Sequence, residues 1–441
     1  TVNENSWRVE AAAPEGENDW RSTHTTPPTH SITETIVAEY NDSEPDAHII
    51  PGKDTNEDKA DKISKIVKHS KVRSDYDAQK QIATRDIVLH GTGIWWEYYR
   101  EDPRTIKELE DFDEKINEYK YKIIERTEFN DVYGQQVSLW DFYGDERSYD
   151  MGSMRDCVRR EVLSMDEFRR LYGKYETVSD GKIMGVSKAD LDEKSKVKPG
   201  GEVEQKEPYP RQDSSMGDEV VEVLHYFNKP NDIYWIVANE VLVNAFMSPL
   251  PFVHKELPFA MGHLIKLSTH LYGIGTGQIL AGVQAELDTL RRLRLDRSKL
   301  NIAKVFLTSG RTDLTDDEVD IYPGKRISVD DVDKSIKPLD FSDTGASSFR
   351  EEESLLEDAR WASGISNPSQ GVTTGATATE SAIVKESTLK RVRTSLKYNS
   401  SVFFKRIGQL RLANILQHYT DPVRVNKVTG KDGTAVYEAV T

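Results

Sequence analysis

Three glycines at alternate positions, Gly273, Gly275 and Gly277, stand directly before a helical pattern. Backbone N–H groups at such a turn can cradle a phosphate. A dinucleotide site would need a further glycine at 278, where Gln278 stands, and an acidic residue in a βαβ setting that is missing. No GxxxxGK[ST] sequence occurs. The glycines therefore read as a tight turn or as a close approach of two backbone segments. Asp313, Asp316, Asp317, Glu318 and Asp320 could hold a hard divalent cation. They lack the order of a calcium loop, and a solvated acidic surface is the plainer reading. The 10 histidines are scattered, without HExxH or a Cys/His cluster. His263 and His270 bracket LIKLST and read as structural. Cys157 is the single cysteine, so an intramolecular disulfide is excluded and a reducing compartment fits. Nothing local makes it a nucleophile. The 7 tryptophans, Trp95, Trp96, Trp140 and Trp361 among them, read as packing or interface anchors rather than base-stacking platforms. No catalytic residue, metal or cofactor is expected.

The chain that must position these residues has 441 residues, enough for two or three domains or one elongated subunit. Its formal net charge of −16 argues against a protein that coats nucleic acid with a basic surface. It is compatible with one that lets nucleic acid pass, because an acidic wall repels phosphate. No run of about 18 apolar residues exists, so no membrane span is expected. The opening TVNENSWRVE lacks a basic segment followed by an apolar core, so no secretory signal is expected there.

The organising stretch is 271–301, LYGIGTGQILAGVQAELDTLRRLRLDRSKLN. Leu280, Val283, Leu287, Leu290 and Leu293 recur at helical steps. Arg291, Arg292, Arg294, Arg297 and Lys299 load its last turns, where positive charge suits a helix C-terminus. Upstream, residues 1–55 read as an arm with a short strand at 31–40. Residues 56–89 read as one charged amphipathic helix stopped at Gly91. IWWEYY at 94–99 reads as a strand, and 104–122 as a charged helix or a long hairpin. A strand at 155–162 precedes a short helix capped by Ser164, with Glu167 at the capping-box position. Residues 180–217 read as a flexible surface insertion, and 219–246 as a hairpin turning at KPND. Pro249, Pro251 and Pro258 mark an extended connection to 271. Downstream come a short strand at 303–308, an acidic turn-rich segment, a helix over 347–363 and a small-residue loop at 366–379. That loop reads either as an exposed linker or as a mobile loop sliding past a ligand. A helix of about 40 residues follows over 380–419, roughly 60 Å long. Leu389, Leu396, Phe403 and Leu410 repeat along it like a heptad seam. The end of the chain suggests a hairpin around VTGKDG.

This order of parts resembles the portal (head-to-tail connector) proteins of tailed bacteriophages. The likeness rests on the 271–301 stretch, on IAKVFLTSG, on SSFREEESLLEDARWASGIS and on GATATESAIVKESTLKRVRTSL, and spans about residues 60–420. It implies an α+β ring subunit with a mixed α/β wing, a two-helix stem, a small β-containing clip and a long C-terminal wing helix. On that basis 1–55 is an N-terminal arm and 56–270 the wing. Residues 271–301 are the first stem helix, 302–346 the clip and 347–365 the second stem helix. Residues 366–379 are the tunnel loop, 380–420 the long wing helix, and 421–441 a hairpin or truncated crown.

The resemblance implies a structural, non-enzymatic ring of about twelve subunits at the capsid portal vertex of the virion, assembled in the host cytoplasm. Double-stranded DNA would pass its channel without sequence readout, lined by Thr373, Thr374, Gly375 and Thr377 and by Arg291, Arg292 and Arg294. Implied partners are the terminase large subunit, tail adaptor proteins, and the major capsid and scaffolding proteins, with no membrane. The rival readings are a scaffold or adaptor joined by coiled coils through 380–419, and a metal-dependent nuclease using the acidic run.

Overall fold

The structure, a computed structural model, describes residues 2–9, 21–42, 49–50, 57–113, 118–173, 220–302, 306–308, 336–338, 346–365, 378–419, 425–429 and 435–439. The 180–217 insertion, most of the 302–346 segment with its acidic run, and residues 366–377 lie outside them. The chain forms two compact units, one made of Glu34–Gly275 with Lys390–Thr441 and the other of Val2–Thr33 with Thr276–Leu389.

Helix α1 (Val2–Arg8) precedes α2 (Pro28–Asp42). The strand expected at 31–40 is therefore a helix. Ile32, Ile36, Val37 and Tyr40 are buried, and their spacing is helical rather than alternating. Pro28 supplies a first helical residue whose missing N–H costs nothing there. The helix expected over 56–89 is two, α3 (Glu57–Arg73) and α4 (Tyr76–His90). Asp75 separates them with φ of 49°, a left-handed conformation that no continuous helix holds. Gly91 ends α4 at φ 85°, as the sequence suggested.

Two long strands follow, β1 (Thr92–Asp113) and β2 (Glu118–Val137), in one antiparallel ladder. The choice left open at 104–122 thus resolves to the hairpin. Then come β3 (Phe142–Gly144), β4 (Asp156–Ser164) and α5 (Met165–Tyr172). The Ser164 hydroxyl accepts the Glu167 N–H at 3.3 Å, the expected cap. Strands β5 (Val220–Asn228), β6 (Ile233–Ala238) and β7 (Val241–Leu242) complete a five-stranded antiparallel sheet in the order β3-β4-β5-β6-β7. The proline-marked connection contains a strand the sequence pattern hid, β8 (Phe259–His263). It pairs with Thr92–Trp96 of β1 and is buried along its whole length. A strand covered on both faces shows no alternation to read.

The second unit holds α6 (Thr276–Ile302), the short pair β9 (Phe306–Thr308) and β10 (Ile336–Pro338), and α7 (Ala346–Ser363). The C-terminal helical run is α8 (Ala378–Asn399), a five-residue π turn at Ser400–Phe404, and α9 (Lys405–His418). The π turn inserts a residue into the helical period and brings the adjacent Phe403 and Phe404 both into the core. There they meet Ile87, Trp95 and Ala260 with Ile407. From Lys390 onward, then, the expected seam is spent on the sheet and helices of its own unit rather than on a coiled-coil partner. Strands β11 (Val425–Thr429) and β12 (Ala435–Ala439) pair antiparallel.

The first unit is fastened by buried polar groups. Arg411 Nε donates to Glu97 Oε1 at 2.5 Å, and both side chains are 0 % exposed. Trp95 Nε1 donates to the other Glu97 oxygen at 2.6 Å, and Arg411 Nη1 donates to the Ser74 hydroxyl at 3.1 Å. Asn399 donates to the His263 carbonyl at 2.7 Å and accepts the His263 N–H at 2.9 Å, completing the outer edge of β8 with a side chain.

Candidate functional site

Helix α6 carries three of the residues singled out from the sequence. Its buried face is not the leucine stripe expected. Leu280 and Leu287 are buried, Val283 and Leu290 are half-buried, and Leu293 is 61 % exposed. The face is completed instead by Thr276, Gln284, Asp288 and Arg294, all buried.

Residues 21–33 explain why polar groups can lie there. Ser22 N–H donates to Asp296 at 2.6 Å. Arg292 donates to the His24 carbonyl at 2.8 Å and to the Thr25 hydroxyl at 3.2 Å. Asp288 accepts both the N–H and the hydroxyl of Thr26, at 2.8 and 2.9 Å. Gln284 donates to the Thr26 carbonyl and accepts the Thr29 hydroxyl, each at 2.8 Å. The Thr33 and Thr276 hydroxyls meet at 3.0 Å. From Ser22 to Thr26 the strap runs antiparallel to the helix, and two of its residues match each four of α6. The pitches agree, since two extended residues span about 6.6 Å and four helical residues rise about 6 Å.

The three arginines are held within their unit. Arg292 is occupied by the strap. Arg291 meets Glu352 of α7 at 3.4 Å, and Arg294 binds the other Glu352 oxygen while lying 4.6 Å over the Phe349 ring. The Arg294 side chain is almost wholly buried, whereas those of Arg291 and Arg292 stay partly exposed. Thr373, Thr374, Gly375 and Thr377 lie outside the described residues. Sequence reasoning missed Glu352 as the shared partner and the threonine strap as the cover. The i, i+4 series Gln284, Asp288, Arg292, Asp296 was the available signal.

The glycine motif is a backbone crossing in the first unit. A Cβ on Gly275 would lie 2.3 Å from Gly91 N and Leu89 O, and one on Gly273 would lie 2.6 Å from the Gly91 carbonyl. The Gly273 N–H donates to the Thr92 hydroxyl at 2.8 Å. These groups are committed to the fold, so the motif offers no phosphate cradle.

A cluster of ionisable groups in the five-stranded sheet is also internal. Arg159 makes a two-point contact with Glu161, 3.0 Å each, and lies 3.9 Å over the Trp96 ring. His225 meets Tyr234 OH at 2.9 Å, Tyr172 OH at 3.3 Å and Glu161 at 3.5 Å. Burial would raise the Glu161 carboxyl, but the His225 contact and the Arg159 charge bring it down to about 2. Burial pushes His225 below the usual imidazole value. It pushes the Cys157 thiol well up, which keeps that buried sulfur protonated. His263 is buried and its pKa is lowered to about 4, first by burial and then by the Lys266 charge, in line with its structural reading. Among the described residues no group of three or more His, Cys, Asp or Glu is arranged to hold a metal ion. Nor is any described helix long and apolar enough to cross a membrane.

The comparison with known families gives the class. Portal proteins of bacteriophages are structural components of the capsid that serve DNA packaging, and they assemble as capsid-associated rings with packaging and tail partners. The sequence model of the Phage P22-like portal protein family matches residues 3–238, more than half of the chain, and the chain belongs to that family. No curated protein matches it. Its place is the portal vertex of the virion capsid. The matched residues take in the strap, the long hairpin and most of the five-stranded sheet. The helices on which the sequence resemblance was read lie beyond them.

Proposed function

We propose that copies of this chain close into a ring of about twelve, whose channel passes double-stranded DNA into the capsid during packaging and out of it during ejection. The observation that carries this reading is the family match over more than half of the chain. In this reading α6 and α7 form the stem, the segment around β9 and β10 forms the clip, and residues 366–379 form the tunnel loop. Thr373, Thr374, Gly375 and Thr377 line the narrowest part. Their side chains are small and uncharged, so they grip neither phosphate nor base. Arg291 and Arg292 present the exposed parts of their guanidinium groups to the channel, and Arg294 ties α6 to α7 through Glu352. The ring docks the terminase large subunit during packaging and tail adaptor proteins afterwards, and it contacts the major capsid and scaffolding proteins. ATP hydrolysis belongs to the motor.

Native mass spectrometry with negative-stain imaging tests the reading. Closed rings of about twelve subunits with a hole wide enough for duplex DNA are expected. A stable monomer or dimer across protein and salt concentrations, with scaffolding partner present, would overturn it.

A further inference from the structure

In sequence, the basic run that closes α6 is a pattern suited to phosphate. In the folded unit it is compensated from behind. Glu352 of α7 stands between Arg291, at 3.4 Å, and Arg294. Asp288 lies 4.0 Å from Arg292, one turn later on the same helix, and Asp296 lies 3.8 Å from Lys299. The partners differ in depth. The Arg291 side chain is 41 % exposed and that of Lys299 50 %, whereas those of Glu352 and Asp296 are 20 % and 15 % exposed. These two cations stand toward water, and the carboxylates lie deeper. Helix α6 alone carries five basic and three acidic side chains, but α6 and α7 together carry seven basic and eight acidic ones. Burial and the Arg291 charge both lower the Arg294 pKa, so the two guanidinium groups repel each other and the carboxylate between them offsets that repulsion.

We propose that Glu352 and Asp296 mute the exposed cations of α6, so that Arg291 and Lys299 do not hold the phosphates of DNA. The proposal rests on the channel reading above and deepens it. A free cation that neutralises a phosphate releases condensed counterions and gains salt-dependent affinity. A cation with a carboxylate a few ångströms behind it acts outward as a dipole, whose field falls faster with distance than that of a charge. To hold a phosphate closely it must also leave its carboxylate, so one ion pair is exchanged for another and the net gain is small. Contact without retention suits a duplex that moves past the same side chains phosphate after phosphate. The two carboxylates are acceptors in the fold as well, Asp296 for the Ser22 N–H at 2.6 Å and Glu352 for Arg294. Amide variants keep an acceptor oxygen at each place, which separates the effect of charge from that of shape.

Binding of a short fluorescent duplex to the assembled full-length protein, followed by anisotropy across a potassium chloride series, tests the proposal. Glu352→Gln and Asp296→Asn are each expected to bind more tightly than wild type. Each is expected to steepen the slope of log K against log salt by about 0.9 or more, the share of one added phosphate contact. Adding Arg291→Gln to the first variant and Lys299→Gln to the second is expected to return the slope to the wild-type value, a reversal that altered packing alone would not give. Native mass spectrometry of the same samples reports whether rings persist, and if Glu352→Gln loses them, the Asp296→Asn series decides. Unchanged slopes in ring-forming variants, or steeper slopes that persist after the cation is removed, overturn the muting role and leave the ring reading intact. A wild-type chain that never forms rings removes the channel reading and this proposal with it.

Discussion

The core around Glu97 and the strapped face of α6 both press polar side chains out of water, but by different means. At Glu97 the carboxylate, the Arg411 guanidinium, the Trp95 indole and the Ser74 hydroxyl are enclosed together, with the Tyr76 ring 4.9 Å from the guanidinium. Each group was desolvated on folding, and none can leave singly without stranding a charge. On α6 the partners are hydroxyls, N–H groups and carbonyls of a peptide strap, and Arg292 keeps about a third of its side chain in water. The first arrangement fixes an interior, and the second lays one segment along another by matched pitch. Buried polarity thus means rigidity only where every partner is enclosed.

Breaking the enclosed pair should have the largest effect. Arg411→Met leaves the buried Glu97 carboxylate without its guanidinium partner, and a loss of about 3–5 kcal/mol is expected from urea unfolding followed by circular dichroism. Gly134 tests the same spot sterically. A Cβ there would stand 2.4 Å from Glu97 Oε2 and 2.5 Å from the Trp95 ring. Gly134→Ala should cost about 1–3 kcal/mol in the same titration. On the strapped side, Asp288→Ala removes the acceptor for Thr26 and Gln284. A loss of about 1–3 kcal/mol is expected, felt locally as faster hydrogen exchange at residues 25–29 with little change in the Glu97 core. Uniform acceleration across both regions would erase the distinction.

Acid should act more gently, and within the first unit. The folded pKa of His263 is lowered to about 4, below its ordinary value of 6.5, so the unfolded chain takes up the proton first. Its stabilising share is complete above pH 6.5 and is lost as pH falls toward 4. Glu161, brought down to about 2, holds its share above the ordinary carboxylate value and loses it as pH falls from 4.5 toward 2. His263→Gln should flatten the fall of the urea midpoint between pH 6.5 and 4 without altering the fall below 4. The smallest effect is expected at the surface. Arg169→Ala removes an exposed contact to Asp166 at 4.0 Å and should change stability by less than about 0.5 kcal/mol.

Much of the local structure was legible because it depends on neighbours in the chain. The Ser164 cap, the Gly91 stop, the hairpin through Asn228 and Ile233 and the limits of α7 all follow from residues a few positions apart. The misreadings share a cause. In α2 the buried Thr29 and Thr33 count as polar in any hydropathy pattern, yet they are covered on the α6 side of their unit, and without them the helix looked like a strand. β8 showed no alternation because both its faces are covered. The break at Asp75 and the π turn before Lys405 are shifts of backbone register that composition does not encode. For the candidate site, sequence located Arg291, Arg292 and Arg294 on one helix. Their partners, Glu352, His24 and Thr25, are about 60 and 270 positions away.

The sequence alone determined that the chain is an α+β protein organised around a glycine turn and a long helix. It also carried the likeness to portal proteins and offered no nucleotide motif. Periodicity, caps and spacing act over a few residues, so the amino acids suffice to set them. Only the tertiary structure decided that the glycines serve a backbone crossing and that the arginines are engaged within their unit. Those outcomes depend on which distant segment arrives opposite each residue. Burial and pairing are properties of that arrival rather than of the residue itself.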